Sequence, residues 1–450
     1  MTETTTTDGY PRRSYAWYVV VVLTIGYVVS FLDRQILALL VEPIREDLGL
    51  SDTQMGLIMG PAFALFYTIL GLPIGWLADR FSRRGIIAIG ITIWCMMTAA
   101  CGLSRTFAQL FLARVGVGVG EATLNPSALS LISDYFPRER RGRAISFYNM
   151  GVSLGAGIAM IGGGWVIAIV ATSPSLVLPI VGELRPWQTV FLIVGLPGLL
   201  IALLMATVRE PVRRGKLRIA TADGGETDNM TIRRTVRYLT ERWRLYGSHF
   251  LGMSVVTCIG YAFLFWIPTM FIRTWDWSIP QISLAYGLIN LICGPIGVNL
   301  AGAVADRLYR KGYRDGHMRA TFMFAFLFIP GAILAPLMPS AELAIAMLVP
   351  ASIGAAGVTA TGAAGLMMIT PNQVRAQATA LYYFVLNVIG LSIGGAGVGM
   401  ITDYVFADES ALRYTLAIVA IGAGVVAFTF LSINLRFYRR AMDEAEAWSD

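Results

Sequence analysis

The ten residues GWLADRFSRR at positions 75–84 return in altered form as GAVADRLYRK at positions 302–311. Both copies keep a glycine, an alanine, an Asp-Arg pair and two further basic residues at the same spacing, and about half the chain separates them. A second, shorter pair follows in the same order, with GVSLG at 151–155 and GLSIG at 390–394. Ordered matches half a chain apart predict two related halves.

Apolar residues dominate the sequence around these motifs. Of the 450 residues, 56% are hydrophobic and 14% are charged, whereas a soluble domain has about 45–50% apolar and about 25% charged residues. The excess falls in blocks long enough to cross a hydrocarbon layer of about 30 Å as helices. This composition excludes a cytosolic enzyme and a nucleic-acid-binding module.

We therefore predict an all-α polytopic membrane protein with twelve transmembrane helices in two pseudo-symmetric six-helix bundles. The predicted spans are 15–41, 53–78, 84–103, 106–133, 141–170, 186–207, 247–272, 281–305, 319–338, 342–365, 372–402 and 412–437.

Five segments follow from this arrangement. They are a disordered cytoplasmic N-terminus (1–14), an N-terminal bundle (15–207), a basic cytoplasmic linker (208–246), a C-terminal bundle (247–437) and a cytoplasmic tail (438–450). Within the linker, apolar and basic residues recur at helical spacing, which predicts an amphipathic helix on the membrane surface. The residues of this pattern are Ile232, Val236, Leu239 and Trp243, beside Arg233, Arg237 and Arg244.

The basic residues predict the orientation of the spans. On alternate sides of the twelve-span arrangement, 28 and 5 of the 35 Lys and Arg residues collect, and the richer side carries the linker and both termini. The positive-inside rule places that side in the cytoplasm. The glycosylation acceptor Asn229 falls in the same linker, which fits a bacterial inner membrane.

Four charged residues lie well within predicted spans, and all four belong to the N-terminal half: Asp33, Arg34, Arg114 and Glu121. A charge at mid-bilayer costs roughly 2.5–3.5 kcal/mol even on the gentler scale, so these residues must pair or face a wet cavity. Asp33 and Arg114 have similar estimated depths, which allows them to meet. Glu121 shares a helix face with Arg114, while Arg34 is rotated away from Asp33. We expect proton binding at Asp33, with Glu121 as the alternative, and anion binding at Arg114 and Arg34; a purely structural set of ion pairs is the competing interpretation.

The duplicated turn is a candidate conformational gate. Its charges line very short connections and could hold neighbouring helices in one conformation and release them in another. The alternative is simple anchoring at the membrane surface. The residues concerned are Asp79, Arg80, Arg83 and Arg84 in the first copy and Asp306, Arg307 and Arg310 in the second.

The C-terminal spans carry no comparable deep charge but contain aromatic and amide side chains. We expect a second wall of a substrate cavity from Tyr261, Phe265, Trp266, Tyr382, Tyr383 and Asn387.

Glycine runs at 114–122 and 155–164 resemble dinucleotide motifs, but no strand precedes them, so close helix packing is the better interpretation. The four cysteines have no paired spacing and predict neither a metal site nor disulfides.

The twelve spans, the duplicated LADRFSRR-type motif and the central linker resemble the major facilitator superfamily. More narrowly, FLDRQIL at 31–37, ARVGVGVGEA at 113–122 and LISDYFPRERRGRAISFY at 131–148 resemble the spinster family of lipid transporters. The resemblance implies an alternating-access carrier with Asp33, Arg34, Arg114 and Glu121 at the family's charged positions. It also implies an amphiphilic or anionic substrate such as a lysolipid or a sphingoid phosphate.

We accordingly expect a monomeric, proton-coupled secondary transporter in the lipid bilayer, with no nucleic-acid partner, no metal and no cofactor other than the coupling proton. Its alternative within the class is a multidrug or small organic anion exporter. A membrane enzyme is disfavoured because His249 and His317 lie far from the carboxylates, and an ATP-driven pump because no phosphate-loop sequence occurs. A membrane sensor without flux remains a third class.

Overall fold

The protein is described by a computed structural model that covers residues 10–174, 176–179, 182–213 and 232–446. Twelve helices in these ranges are long and apolar enough to cross a membrane. The predicted fold class is therefore confirmed. A single β-hairpin, β1 (Val177–Leu178) with β2 (Gly182–Glu183), is the only strand pairing in the described ranges and was not predicted.

The helices of the first half follow the predicted spans, with one added short helix after the first. They are α1 (Arg13–Leu39), α2 (Val41–Leu48), α3 (Asp52–Met59), α4 (Pro61–Arg80), α5 (Arg83–Gly102), α6 (Phe107–Glu121), α7 (Leu124–Tyr135), α8 (Arg138–Thr172), α9 (Pro186–Gly195) and α10 (Gly198–Thr207).

The linker and the second half contribute eight further helices. They are α11 (Ile232–Glu241), α12 (Trp243–Trp275), α13 (Ile279–Arg310), α14 (Gly316–Leu334), α15 (Ala341–Met368), α16 (Asn372–Ser392), α17 (Val398–Ile401) and α18 (Leu412–Glu446). π-Helical stretches at Ile393–Gly397 and Thr402–Phe406 join and extend α16 and α17. Helix α18 continues through most of the segment that we expected to be a tail.

Three spans of the first half are interrupted near their middle. Gly60 separates α3 from α4, with Pro61 at the first position of α4, where a missing N–H costs no helical bond. Thr123 lies between α6 and α7, and its hydroxyl donates to the Gly120 carbonyl at 2.8 Å. The third break, at Leu196 and Pro197, separates α9 from α10. Each of the three spans stays apolar enough to cross a membrane across its break.

The chain forms two compact units. Among the described residues, those within 1–216 and 276–291 form the first unit, and those within 217–275 and 292–450 form the second. The division falls close to the predicted linker, but the first part of α13 belongs to unit 1.

Glycines explain how closely the helices of unit 1 approach. A Cβ on Gly118 would lie 2.7 Å from the Phe63 carbonyl oxygen, and one on Gly120 would lie 2.6 Å from the Trp94 nitrogen. Both distances are shorter than any real Cβ contact, so these positions require glycine. The glycine run at 114–122 thus serves helix packing in the structure.

The linker is described only at its two ends, because residues 214–231 lie outside the described ranges. Helix α11 occupies the position of the predicted amphipathic helix. Leu239 is buried against unit 2, whereas Val236 and Trp243 are exposed. The predicted N-terminal disordered segment lies largely outside the described residues, and the side chains of Ile232 and Arg233 are not described.

Candidate functional site

Arg34 and Glu121 form an ion pair in the middle of unit 1. Nε and Nη2 of Arg34 both donate to Oε2 of Glu121, and the Nε bond is 2.7 Å long. The Glu121 side chain is 1% exposed, whereas that of Arg34 is 18% exposed. Oε1 of Glu121 has no hydrogen-bond partner among the described residues. Within the pair, the Arg34 guanidinium is therefore the group that a ligand can contact. The Glu121 carboxylate keeps one oxygen, Oε1, without a hydrogen bond in the part of the chain that the structure describes.

Aromatic rings surround the Arg34 guanidinium on several sides. Its Cζ lies 4.6 Å from the ring centroid of Phe63, 5.0 Å from Tyr67 and 5.2 Å from Phe31. These distances are within the range of cation–π attraction. Phe63 and Tyr67 are one turn apart on α4, so their faces stack toward the same side. We call Arg34, Glu121, Phe31, Phe63 and Tyr67 the arginine cage.

The expected side-chain pair between Asp33 and Arg114 is absent. Nη1 of Arg114 donates instead to the backbone carbonyl of Asp33 at 3.2 Å. The depth estimate was correct, but the rotation of α1 turns the Asp33 carboxylate away from the guanidinium and into helix packing. Arg114 is itself buried, with its Cζ 5.6 Å from the Phe63 centroid. Arg34, which the sequence analysis placed about one residue's rotation from Asp33 and among the anion-binding residues, is the more exposed of the two arginines.

The Asp33 carboxylate is completely buried. No hydrogen bond of normal geometry reaches either of its oxygens within the described part of the chain, and the hydroxyl of Thr98 on α5 lies close enough to become a partner. An unpaired ionised carboxylate in such surroundings is very costly. Asp33 can therefore hold its position at low cost only when it carries a proton or gains a partner.

The first copy of the duplicated turn is tied to its own unit by Arg83. This buried arginine donates to Glu210 Oε1 at 2.7 Å, to Ser130 Oγ at 2.9 Å and to Asp134. Arg84 donates to the Val208 carbonyl at 2.9 Å. The sequence analysis missed Asp134 and Glu210, although both stand beside helix ends rich in arginine.

Other residues of this first copy lie at the surface. The Arg80 guanidinium lies 3.9 Å from the Trp76 ring centroid. The Asp79 side chain lies outside the described part of the structure. The network around Arg83 therefore explains how the turn is anchored, and the gating role of Asp79 stays a prediction.

The second copy of the turn has no such network in the described structure. Asp306, Arg307 and Arg310 are exposed, and Arg310 Nε reaches only the backbone carbonyl of Asp306 at 3.4 Å. The ionic contacts of this region centre instead on Asp315, which is 3% exposed and accepts from Arg319 at 2.7 Å and Arg439 at 2.6 Å. The two copies share a sequence but not a bonding pattern.

The proposed aromatic wall of the C-terminal half is only partly accessible within unit 2. Trp266 is fully buried, and its indole N–H donates to the Gly395 carbonyl at 3.1 Å, inside the π-helical stretch. Phe265 and Tyr382 are also buried. Tyr261 and Asn387 are half-buried and share a hydrogen bond of 3.5 Å. Outside this bonded pair, only Tyr383, which is exposed, could meet a ligand without repacking.

Metal-binding chemistry has no candidate in the ranges that the structure describes, where no group of three or more His, Cys, Asp and Glu side chains comes together. The four cysteines are free thiols, and all are buried.

The fold and the arginine cage define a polytopic membrane protein with two repeated halves and a charged intramembrane site. The model of the Major Facilitator Superfamily matches residues 23–395. The chain belongs to this superfamily.

Two relatives and one solved structure show which members of the superfamily this chain resembles. An MFS-type efflux pump of Mycolicibacterium smegmatis is 28% identical over 97% of this chain and 96% of its own length. A D-galactonate transporter of Escherichia coli is 27% identical over 72% of this chain and 74% of its own. The crystal structure of a bacterial homologue of the human lysosomal transporter Spinster, inward-facing and unoccupied, matches 96% of this chain and 98% of its own with a TM-score of 0.77 and 28% identity. The chain is therefore an integral membrane transporter of this superfamily that resembles the spinster family.

Proposed function

We propose that the protein is a proton-coupled secondary carrier of an organic anion with an apolar portion, working by alternating access. The observation that carries this proposal is the Arg34–Glu121 pair, a reachable guanidinium held by a single oxygen of a buried carboxylate. An anionic substrate group offers the same chemistry as that oxygen, and a guanidinium binds carboxylate or phosphate in a bidentate manner. The surrounding rings of the arginine cage offer faces for the apolar portion.

Proton coupling follows if the substrate and Glu121 compete for Arg34. A proton on Glu121 removes its charge and weakens its hold on the guanidinium, which is then free for the anion. Binding of one species thereby changes the affinity for the other, as coupling requires. The direct contact with Arg34 supports Glu121 as the coupling group, while the unpartnered carboxylate of Asp33 supports a second proton site behind it.

The substrate class has two candidates. The resemblance to the spinster family of lipid transporters favours a lysolipid or a sphingoid phosphate. The similarity to a D-galactonate transporter and to an efflux pump favours a small organic anion or a drug. Both candidates present an anionic group to the same arginine, so they differ in what the aromatic rings contact.

Transport in proteoliposomes tests the proposal. Under an imposed pH gradient without a substrate gradient, we expect accumulation of a candidate anion and none of its neutral analogue. The matched pairs are lysophosphatidic acid with monoacylglycerol, and D-galactonate with D-galactose. Flux that ignores the pH gradient would end the proton hypothesis, and equal transport of both members of a pair would end anion recognition.

Variants assign the roles. Arg34→Gln should abolish anion binding, and Arg34→Lys should rescue it poorly because an ammonium cannot reproduce the fork. Glu121→Gln should keep exchange but lose accumulation. If Asp33→Asn shows that phenotype and Glu121→Gln does not, the coupling site moves to Asp33. Arg105→Gln, an exposed residue in the connection between α5 and α6, serves as the matched control.

We further propose that both termini and the linker lie in the cytoplasm of a bacterial cell. The excess of basic residues on that side supports this orientation. A C-terminal green fluorescent protein fusion should fluoresce, and a C-terminal alkaline phosphatase fusion should be inactive. The reverse pattern would invert the topology.

A further inference from the structure

A pocket of about 380 Å³ lies in unit 2 where α11 meets α12, against the last turns of α18. Arginines and aromatic side chains dominate its walls. The residues that matter for its chemistry are Arg242, Trp243, Arg244, Phe437, Arg440 and Glu444. None of them belongs to the arginine cage.

The acidic residues of the pocket are already paired. Arg242 Nη2 lies 3.5 Å from Glu444 Oε2. Glu241, also in the wall, accepts from Arg237 Nε at 2.8 Å. These two contacts account for both carboxylates of the pocket.

Two arginines remain without an acidic partner among the residues that the structure describes. Arg440 is exposed near the end of α18. Arg244 is exposed as well, with its Cζ 5.7 Å from the ring centroid of Trp243. The pocket therefore carries an excess of positive charge on two side chains from different helices, both free to donate.

The pocket also lies at the end of a membrane span. Trp243 begins the apolar helix α12 and is 64% exposed. Tryptophan at the end of a span favours the headgroup level of the bilayer, and arginines there reach toward phosphate groups. The half-buried ring of Phe437 adds an apolar wall beside these cations.

We propose that this pocket binds the phosphate group of an anionic phospholipid. Arg244 and Arg440 donate to the phosphate oxygens in the forked geometry that guanidinium groups offer. Trp243 and Phe437 contact the glycerol and the first acyl carbons. A bound lipid then bridges the end of the linker and the end of α18.

Lipid titration of the purified full-length protein in detergent tests the site. Dioleoylphosphatidylglycerol should raise the apparent melting temperature in a saturable manner, because a ligand of the folded state stabilises it. Dioleoylphosphatidylcholine, which has no net charge, should raise it much less. Soluble glycerol phosphate distinguishes the source of the phosphate. If it stabilises the protein as well as the lipid does, the site takes a free organophosphate and the lipid assignment is wrong.

Paired variants test the residues. In Arg244→Gln/Arg440→Gln, the half-saturating phosphatidylglycerol concentration should rise on the order of tenfold, from the loss of charge-assisted bonds. Arg12→Gln/Arg13→Gln removes two exposed arginines near the start of α1, on the same predicted membrane face but in unit 1, and should leave the titration unchanged. If both double variants weakened phosphatidylglycerol binding equally, general surface charge would explain the binding, and the proposed site would be wrong.

A single variant distinguishes loss of the lipid site from loss of the fold. Arg440→Glu changes one exposed residue, should leave the melting temperature without lipid unchanged, and should abolish the phosphatidylglycerol effect. A normal lipid response in this variant would remove Arg440 from the site and overturn the proposal.

Discussion

The rotation of one helix decides which side chain of the Asp33-Arg34 pair is reachable. Helical rise predicted from sequence that α1 and α6 carry charges at the same depth, and the 3.2 Å bond between Arg114 and the Asp33 carbonyl agrees with that. Sequence could not predict the azimuth, because neighbouring residues differ by about 100° around a helix and tertiary packing chooses the angle. Helix α1 packs chiefly against α8, where a Cβ on Gly155 would lie 3.0 Å from the Phe31 ring, and in the rotation that results Arg34 faces Glu121.

The Arg34–Glu121 pair should show strong energetic coupling. Glu121→Gln leaves a poorly solvated guanidinium without its partner, and removal of one member of a buried pair costs about 3–5 kcal/mol. The double variant Arg34→Gln/Glu121→Gln should recover part of this loss. Denaturant unfolding of the four proteins measures the coupling as a double-mutant cycle. Additive losses would mean that the two side chains do not interact in the folded protein.

Asp315 gives unit 2 a stability that depends on pH. Although burial of Asp315 raises its pKa, hydrogen bonds from Arg439 and Arg319 outweigh that effect and hold the pKa below its ordinary value. A carboxylate with a lowered folded-state pKa stabilises the fold above its unfolded pKa of about 3.9, and this stabilisation is lost as pH falls through the folded value.

Melting temperatures of the wild type and Asp315→Asn should therefore differ clearly at neutral pH and converge at acid pH. Asp443→Asn is a control, since Asp443 pairs with Arg314 at 2.8 Å and both side chains are more than half exposed, and an exposed ion pair contributes little to stability. A constant difference between wild type and Asp315→Asn across the pH range would contradict the assignment.

At the scale of elements, the two copies of the duplicated turn show how far a sequence repeat predicts structure. The first copy ends α4 and begins α5, as the sequence predicted, whereas the second copy forms the last turns of α13, and α14 begins only at Gly316. Only the first copy is held by buried acids. Pro137 and Pro371 cap the equivalent helices α8 and α16. The position three residues before each proline is Asp134 in the first half and Met368 in the second. The apolar residue gives Arg310 nothing to bind, which comparison of the motifs alone did not reveal.

This difference predicts unequal effects of equal substitutions. Arg83→Gln should destabilise the protein by about 3–5 kcal/mol, because Asp134 would lose the partner of a buried pair. Arg310→Gln, at the matching position, should change the free energy of unfolding by no more than about 0.5 kcal/mol. Denaturant unfolding of both variants measures this, and equal losses would contradict the asymmetry of the two turns.

The π-helical stretch after α16 marks a second difference between repeated elements. Its Gly394 corresponds to Gly155 in the first half, which lies in the regular helix α8. A Cβ on Gly394 would lie 2.7 Å from the Cys258 carbonyl oxygen, part of a backbone that cannot readily move aside. The shorter motif predicted two related halves, but neither the π-helical stretch nor the close approach of Gly394 to α12.

Substitution of glycine by alanine tests this contact. Gly394→Ala should destabilise the protein by about 1–3 kcal/mol through overpacking. Gly422→Ala in α18 meets no atom within 4 Å and should be neutral or stabilising, since alanine favours helix by up to about 1 kcal/mol. If Gly394→Ala were as stable as Gly422→Ala, the close approach would not exist in the folded protein.

At the scale of the whole molecule, composition and periodicity predicted the number of spans and their approximate ends. Hydrophobic length is a strong signal because unsatisfied backbone groups are excluded from the bilayer. The breaks within spans and the short helix α2 were not predicted, because each depends on local capping and on neighbouring helices. The assignment of residues 276–291 to unit 1 also lay beyond sequence, since contacts rather than chain order define a unit.

Conformational exchange is the whole-molecule property that the gating hypothesis addresses. Asp79→Asn should slow interconversion between inward-open and outward-open states while substrate affinity changes by no more than a few fold. Single-molecule fluorescence of a labelled pair measures the rate. Unchanged rates in Asp79→Asn would favour anchoring at the membrane surface as the role of this residue.

The burial of all four thiols makes such labelling practical. Cys95, Cys101, Cys258 and Cys293 are enclosed by helices, and maleimide dyes modify only thiols that they can reach. A cysteine introduced at an exposed position, such as Leu103→Cys or Tyr313→Cys, would therefore be the one fast-reacting site in an otherwise native chain. The natural sequence supplies a low-background scaffold for spectroscopy, and any native thiol that becomes reactive during turnover would itself report which helices separate.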